Sequence, residues 1–296
     1  MSIEIRDPRM RDVVGEQVTL ERIAQDCLFT EGPLWHRRDR YLLFSDMPGN
    51  HLRRWTPGKG VETFRKPSQQ SNGLAWDREG RLIACQHATS TLTRTGHDGS
   101  VVTLASHYRG QELNSPNDVI VKRDGTIWFS DPTYGRAEFY GLPREPQLAF
   151  RGVYCVQPDG GDLALVADDF GQPNGLCFSP DEKRLFVNDT ERGHIRVFDV
   201  HGDDTLGGGD VWAETTGEGE GAPDGMKLDA ASNLWCCGPG GIHVFAPDAI
   251  CLGVIHVPEY TANFAWGDDD FRTLYITAST SVYRIRTKVA GRPQME

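Results

Sequence analysis

A short phrase recurs six times along the chain, and this recurrence limits the fold more than any other feature of the sequence. Its clearest copy is Gln172–Asp189, QPNGLCFSPDEKRLFVND. Pro173-Asn174-Gly175 breaks the backbone direction, and Leu176-Cys177-Phe178 is an apolar run. Ser179–Lys183 is a turn built on Pro and Asp, and Leu185-Phe186-Val187 has the character of a buried strand. The other copies start at Glu31-Gly32-Pro33, Asn72-Gly73, Pro116-Asn117-Asp118, Pro223-Asp224-Gly225 and Ala262-Asn263. Each continues as apolar run, polar turn, apolar run.

The heads of the phrase, Gly32, Gly73, Asp118, Gly175, Gly225 and Asn263, follow one another at roughly 40 to 55 residues, the repeat length of propeller blades. A blade is an antiparallel sheet of about four strands set radially around a channel. The expected fold is therefore all-β, a six-bladed β-propeller with a central metal site, forming a single domain over residues 1–296. A β-sandwich also turns often, but it need not repeat one phrase at its strand starts. Residues 1–17 read as a loosely held lead-in and 288–296 as a tail. Val18–Phe29 is expected to pair with the C-terminal strands and close the ring. The longest interval carries an excess between Tyr134 and Arg151, which should form a loop on one rim.

Composition narrows the function. A formal net charge of −11 repels phosphate backbones and argues against nucleic acid as a partner. No apolar stretch approaches the length of a membrane span, and the opening MSIEIRDPRMRDVV lacks the apolar core of a signal peptide. The seven cysteines are scattered with no CxxC, so neither a zinc cluster nor a disulfide framework is indicated. A reducing, cytoplasmic setting fits best. Monomer and homodimer both remain open.

Four of the six phrases open on an oxygen-bearing side chain: Glu31, Asn117, Asn174 and Asp224. In a propeller the inner strands all begin at one end of the channel, so these four should converge on the axis. Two carboxylates meeting there need a counter-charge, and an all-oxygen set suits a hard divalent cation. Calcium is the first choice, with magnesium, manganese or zinc as alternatives. Taken singly, Asn-Gly and Asp-Gly are ordinary turn residues, and Asn72-Gly73 in the second copy shows that the motif also occurs outside the ligand set.

The phrases Glu31-Gly32-Pro33, Ser115-Pro116-Asn117-Asp118, Pro173-Asn174-Gly175 and Ala222-Pro223-Asp224-Gly225 resemble those of the gluconolactonase/regucalcin (senescence marker protein) family, from about Glu31 to Arg286. The resemblance implies a six-bladed propeller with a divalent metal held by Glu31, Asn174 and Asp224. Asn117 matches an Asn that binds metal or substrate in different relatives. Paraoxonases and diisopropyl fluorophosphatase use a similar set. The implied activity is hydrolysis of a small-molecule sugar lactone, by Lewis-acid activation of the carbonyl and attack of water assisted by Asp224. Regucalcin-type members carry Arg where this chain has Ser115, so their substrate contacts do not transfer.

Asn114, Ser115, Asn117 and Tyr134 flank the third mouth and are expected to touch substrate, with His87 lining the pocket. Asp131 and Asp189 close second strands and are expected at the far end of their blades as turn caps. Two rival readings keep the fold: a phosphotriesterase-like metal hydrolase, and a non-catalytic calcium- or ligand-binding propeller.

Overall fold

The computed structural model describes residues 2–15 and 17–292. Six antiparallel sheets of four or five strands follow one another along the chain, with a small two-stranded sheet, His107–Tyr108 against Gln111–Glu112, after the second. The first blade pairs Thr30–His36, Tyr41–Asp46, His51–Thr56 and Gly60–Arg65 in order. The second runs from Ser71–Trp76 to Val101–Ala105, the third from Val119–Val121 to Ala164–Ala167, and the fourth from Pro173–Phe178 to Leu206–Glu214. The fifth begins at Met226–Leu228 and the sixth at Thr261–Gly267. The expected six-bladed β-propeller is the observed one.

Side chains alternate across each strand, so both faces of a blade must be covered by its neighbours. Six buried apolar clusters do this, one for each interface between successive blades. Trp128 with Leu176 and Val187 joins the third and fourth blades. Trp235 with Phe264 and Trp266 joins the fifth and sixth. Cys85, Cys155, Cys177, Cys236 and Cys237 are buried within these clusters as small apolar side chains.

The ring closes as the sequence suggested, by Glu21–Ala24 pairing antiparallel with Ser281–Arg286 in the sixth blade. The lead-in differs from expectation. Ile3–Ile5 adds a fifth strand to the fifth blade, against Cys251–His256, and the short helix Met10–Val13 buries Met10 in the cluster behind it. The start of the expected tail is also held, through Lys288 N–H to Val13 O at 2.9 Å and a bridge between Asp229 and Gly291; residues 293–296 of that tail lie outside the described residues. No helix among the described residues is long and apolar enough to cross a membrane.

The head glycines have a reason other than turn geometry. A Cβ on Gly73 would meet the carbonyl of Asn117, and one on Gly175 the carbonyl of Asp224. At Gly73 the approach is a hydrogen bond, N–H to Asn117 O at 2.8 Å. At these two heads the inner strand packs backbone against backbone on the next, which a residue without a side chain allows. Gly175→Ala should destabilise the protein by about 1–3 kcal/mol through overpacking. Gly202→Ala, where the added carbon meets nothing within 4 Å, should stay within about 0.5 kcal/mol. Urea midpoints of the two variants compare them.

Candidate metal and active site

The strand starts of the blades bring Glu31, Asn72, Asn117, Asn174 and Asp224 around one cavity of about 100 Å³. His87, Thr190, Tyr134, Tyr140, Tyr260, Phe29 and Met47 complete its walls. The polar floor is withdrawn from water: Glu31 is 3% exposed and Asp224 8%. The rim is aromatic. Phe29 meets Tyr140 edge-on at 5.4 Å and lies 6.0 Å from Tyr260, ring centre to ring centre.

The Tyr134–Arg151 insertion supplies Tyr134 and Tyr140, so the rim loop foreseen in the sequence lies over this cavity. Arg136 holds the loop down, donating to the Asn114 carbonyl at 2.7 Å and pairing with Glu112 at 2.9 Å. Arg144 adds hydrogen bonds to the His87 carbonyl and to Ser90 Oγ.

Electrostatically the site is an excess of buried negative charge. Burial, reinforced by Asp118, pushes the Glu31 carboxyl up to about 7. Burial and then the nearby Glu31 and Asp118 raise Asp224 well above the usual carboxylate range. Asn263 Nδ2 donates to Glu31 Oε2 at 3.1 Å, and the Gly32 N–H donates to the same oxygen. One step further along the channel, Lys227 Nζ donates to Asn263 Oδ1 at 2.8 Å and offsets the buried Asp118. The same lysine also favours the charged form of Glu31.

The donor set fits a hard divalent cation. Two carboxylates and the carboxamides of Asn117 and Asn174 offer oxygen only, and an added positive charge would reverse the upward shifts of both acids. Among the described residues no group of three or more His, Cys, Asp or Glu side chains could hold a metal ion. The cavity's acids number two, Glu31 and Asp224, and the asparagines would supply the remaining oxygens. Asn174 is set for this role from behind: its Nδ2 donates to Thr190 Oγ1 at 3.1 Å, and Thr190 donates to Pro223 O at 2.6 Å.

Of the expected substrate contacts, Asn117, Tyr134 and His87 line the cavity, whereas Asn114 and Ser115 do not. Asn114 Nδ2 donates to Phe150 O at 2.9 Å and Ser115 Oγ to Pro132 O at 2.5 Å, both side chains being fully buried. They shape the loop ahead of Asn117. Asp131 and Asp189 lie at the site end, not the far end. Asp131 accepts the N–H groups of Asn114 and Ser115 at 2.8 and 2.7 Å. Asp189 accepts those of Gly171 and Gln172 at 2.7 and 2.9 Å. Each carboxylate clamps the loop that delivers a cavity asparagine. Asn72, Asp118, Lys227 and Asn263 were missed, although Asp118 and Asn263 stand where other heads have glycine.

The family described as SMP-30/Gluconolactonase/LRE-like region matches residues 29–280. A gluconolactonase of Zymomonas mobilis is 34% identical, over 96% of this chain and 85% of its own. A pentonolactonase of Haloferax volcanii is 25% identical over 94% of this chain and 97% of its own. The solved structure of a gluconolactonase from Xanthomonas campestris superposes with a TM-score of 0.89 at 34% identity, covering 97% of this chain and 95% of that one.

Glu31→Gln removes one of the crowded charges and keeps an oxygen for Asn263 and Gly32. In chelator, the variant should melt at or above the wild-type temperature, and it should lose most of the upward shift that calcium gives the wild type. Folded Glu31 keeps its proton up to about 7, whereas the unfolded group releases it near 4.5. Metal-free wild type should therefore lose stability relative to Glu31→Gln as pH rises through that window. Thermal melts from pH 4.5 to 7.5, with and without calcium, check both statements.

Proposed function

The chain belongs to the SMP-30/gluconolactonase/LRE-like family, and from that premise we propose that it is a metal-dependent hydrolase opening a small-molecule sugar lactone. The observation that carries the reading is the meeting of Glu31, Asn117, Asn174 and Asp224 around one small cavity under an aromatic rim. The lactonases it resembles along most of its length support the same substrate class.

Glu31, Asn117, Asn174 and Asp224 would hold the cation, calcium in the first place. Bound there, it supplies Lewis-acid polarisation of the ester carbonyl. Asp224 is the general base. It takes a proton from water as the water oxygen bonds to the carbonyl carbon, and it returns that proton to the ring oxygen as the ring C–O bond breaks. The product is the open-chain hydroxy acid. A carboxylate is a weak base, but a sugar lactone is an activated ester and asks little of it. Tyr134, Tyr140 and Tyr260 offer aromatic faces and hydroxyls to a polyhydroxylated ring, and the walls they form limit water at the reacting carbon. The cysteines are free thiols, which supports a reducing, cytoplasmic setting.

At saturating calcium, Asp224→Asn should lower turnover of glucono-δ-lactone by about 10²–10⁴-fold, the usual contribution of a general base, with the fold retained by circular dichroism. Wild-type turnover in that variant would remove Asp224 from the base role. Parallel assays of the lactone and an aryl phosphotriester, with and without chelator, test the rest. Preference for the phosphotriester would reassign the bond that is broken, and full lactone turnover in chelator would remove the metal.

A further inference from the structure

We propose that Asn72 is a specificity-determining contact, its Oδ1 accepting a hydroxyl proton from the ring of the bound lactone, and that His87 positions it. This rests on the lactonase reading above. The argument begins at the Tyr140 carbonyl, 2.9 Å from His87 Nδ1. A carbonyl only accepts, so Nδ1 carries the proton. The ring is fully buried, and burial pushes its pKa down to about 4, which keeps it neutral. Nε2 is therefore bare and must accept.

Its partner is Asn72 Nδ2 at 3.3 Å. The tautomer of His87 thus sets the orientation of the Asn72 carboxamide, with the NH₂ turned to the imidazole and Oδ1 left over. That oxygen is buried and has no hydrogen-bond partner. Among the described residues, Asn72 is the one cavity-lining residue with such an atom. A buried acceptor left unpaired is unfavourable, so the position suits a donor delivered by a ligand.

Asn174 is built the same way, with its NH₂ tied behind to Thr190. The difference lies in what stands behind the anchor. Asn174 is fixed through the Pro223 carbonyl of a neighbouring blade, whereas Asn72 is fixed through Tyr140, whose ring also walls the cavity. The rim loop therefore sets both the shape of the pocket and the direction of its free acceptor. Glu31 and Asp224 already balance a divalent charge, and a neutral oxygen with no partner complements the hydroxyls of a sugar ring.

The test compares glucono-δ-lactone with δ-valerolactone, which has no ring hydroxyls, in calcium-saturated protein. Asn72→Leu, and Asn72→Ala as a variant without added bulk, should lower the ratio of the two kcat/KM values about tenfold or more, the loss entering through KM for the hydroxylated lactone. His87→Phe should lower the ratio in the same way and add less than twofold in the Asn72→Leu background, since it acts through that residue. Calcium affinity by calorimetry should stay within twofold. Equal losses on both lactones, or full additivity of His87→Phe, would overturn the proposal. A tenfold fall in calcium affinity would make Asn72 a ligand of the ion and overturn it too. Wild-type protein that opens neither lactone would instead remove the proposed function, and this inference with it.

Discussion

Glu31 and Asp224 come from the first and fifth blades and share a space almost closed to water. Two ionised carboxylates in such a place repel each other and lack hydration, a state a folded protein does not hold without compensation. The chain's own compensation is partial: Asn263 and the Gly32 N–H reach Glu31, and Lys227 stands one step further off. The site thus gathers acids with carboxamide oxygens on its other sides, and the proposed divalent cation would complete it.

The blades must come very close at the axis for side chains from four of them to meet. Glycine at Gly73 and Gly175 lets one inner strand lie against the carbonyl of the next. Paired N–H groups on Asp131 and Asp189 hold the loops that enter the third and fourth inner strands. Backbone contact fixes the ring diameter, and the clamps fix where each asparagine points. The interblade clusters supply the apolar stabilisation around this polar mouth. The Tyr134–Arg151 loop above the axis adds Tyr134 and Tyr140 to the walls that a substrate would meet.

Much of this was legible in the sequence. The recurring phrase specified the number of blades, and the need of a closed ring for a clasp pointed to Val18–Phe29, where Glu21–Ala24 pairs with the last strand. The common register of Glu31, Asn117, Asn174 and Asp224 pointed to one cavity. Asn72 was not legible as a cavity residue, because Asn-Gly is common turn chemistry and only the contact with His87, 15 residues away, marks it out. Asn114 and Ser115 read as pocket residues from proximity to Asn117, but the Asp131 clamp turns their side chains into the protein. Asp131 and Asp189 were placed at the wrong end, although the second strand of an antiparallel hairpin ends where the first begins. The Lys227–Asn263 layer left only a faint trace, two head positions without glycine.

The central claim is that one divalent cation is gripped by oxygens from four blades. Elemental analysis of protein purified without chelator measures it most directly. The account requires close to one divalent ion per chain, falling to a small fraction of that in Glu31→Gln and in Asn174→Ala. Folded protein that carries no such ion and opens lactones at full rate in EDTA would contradict it.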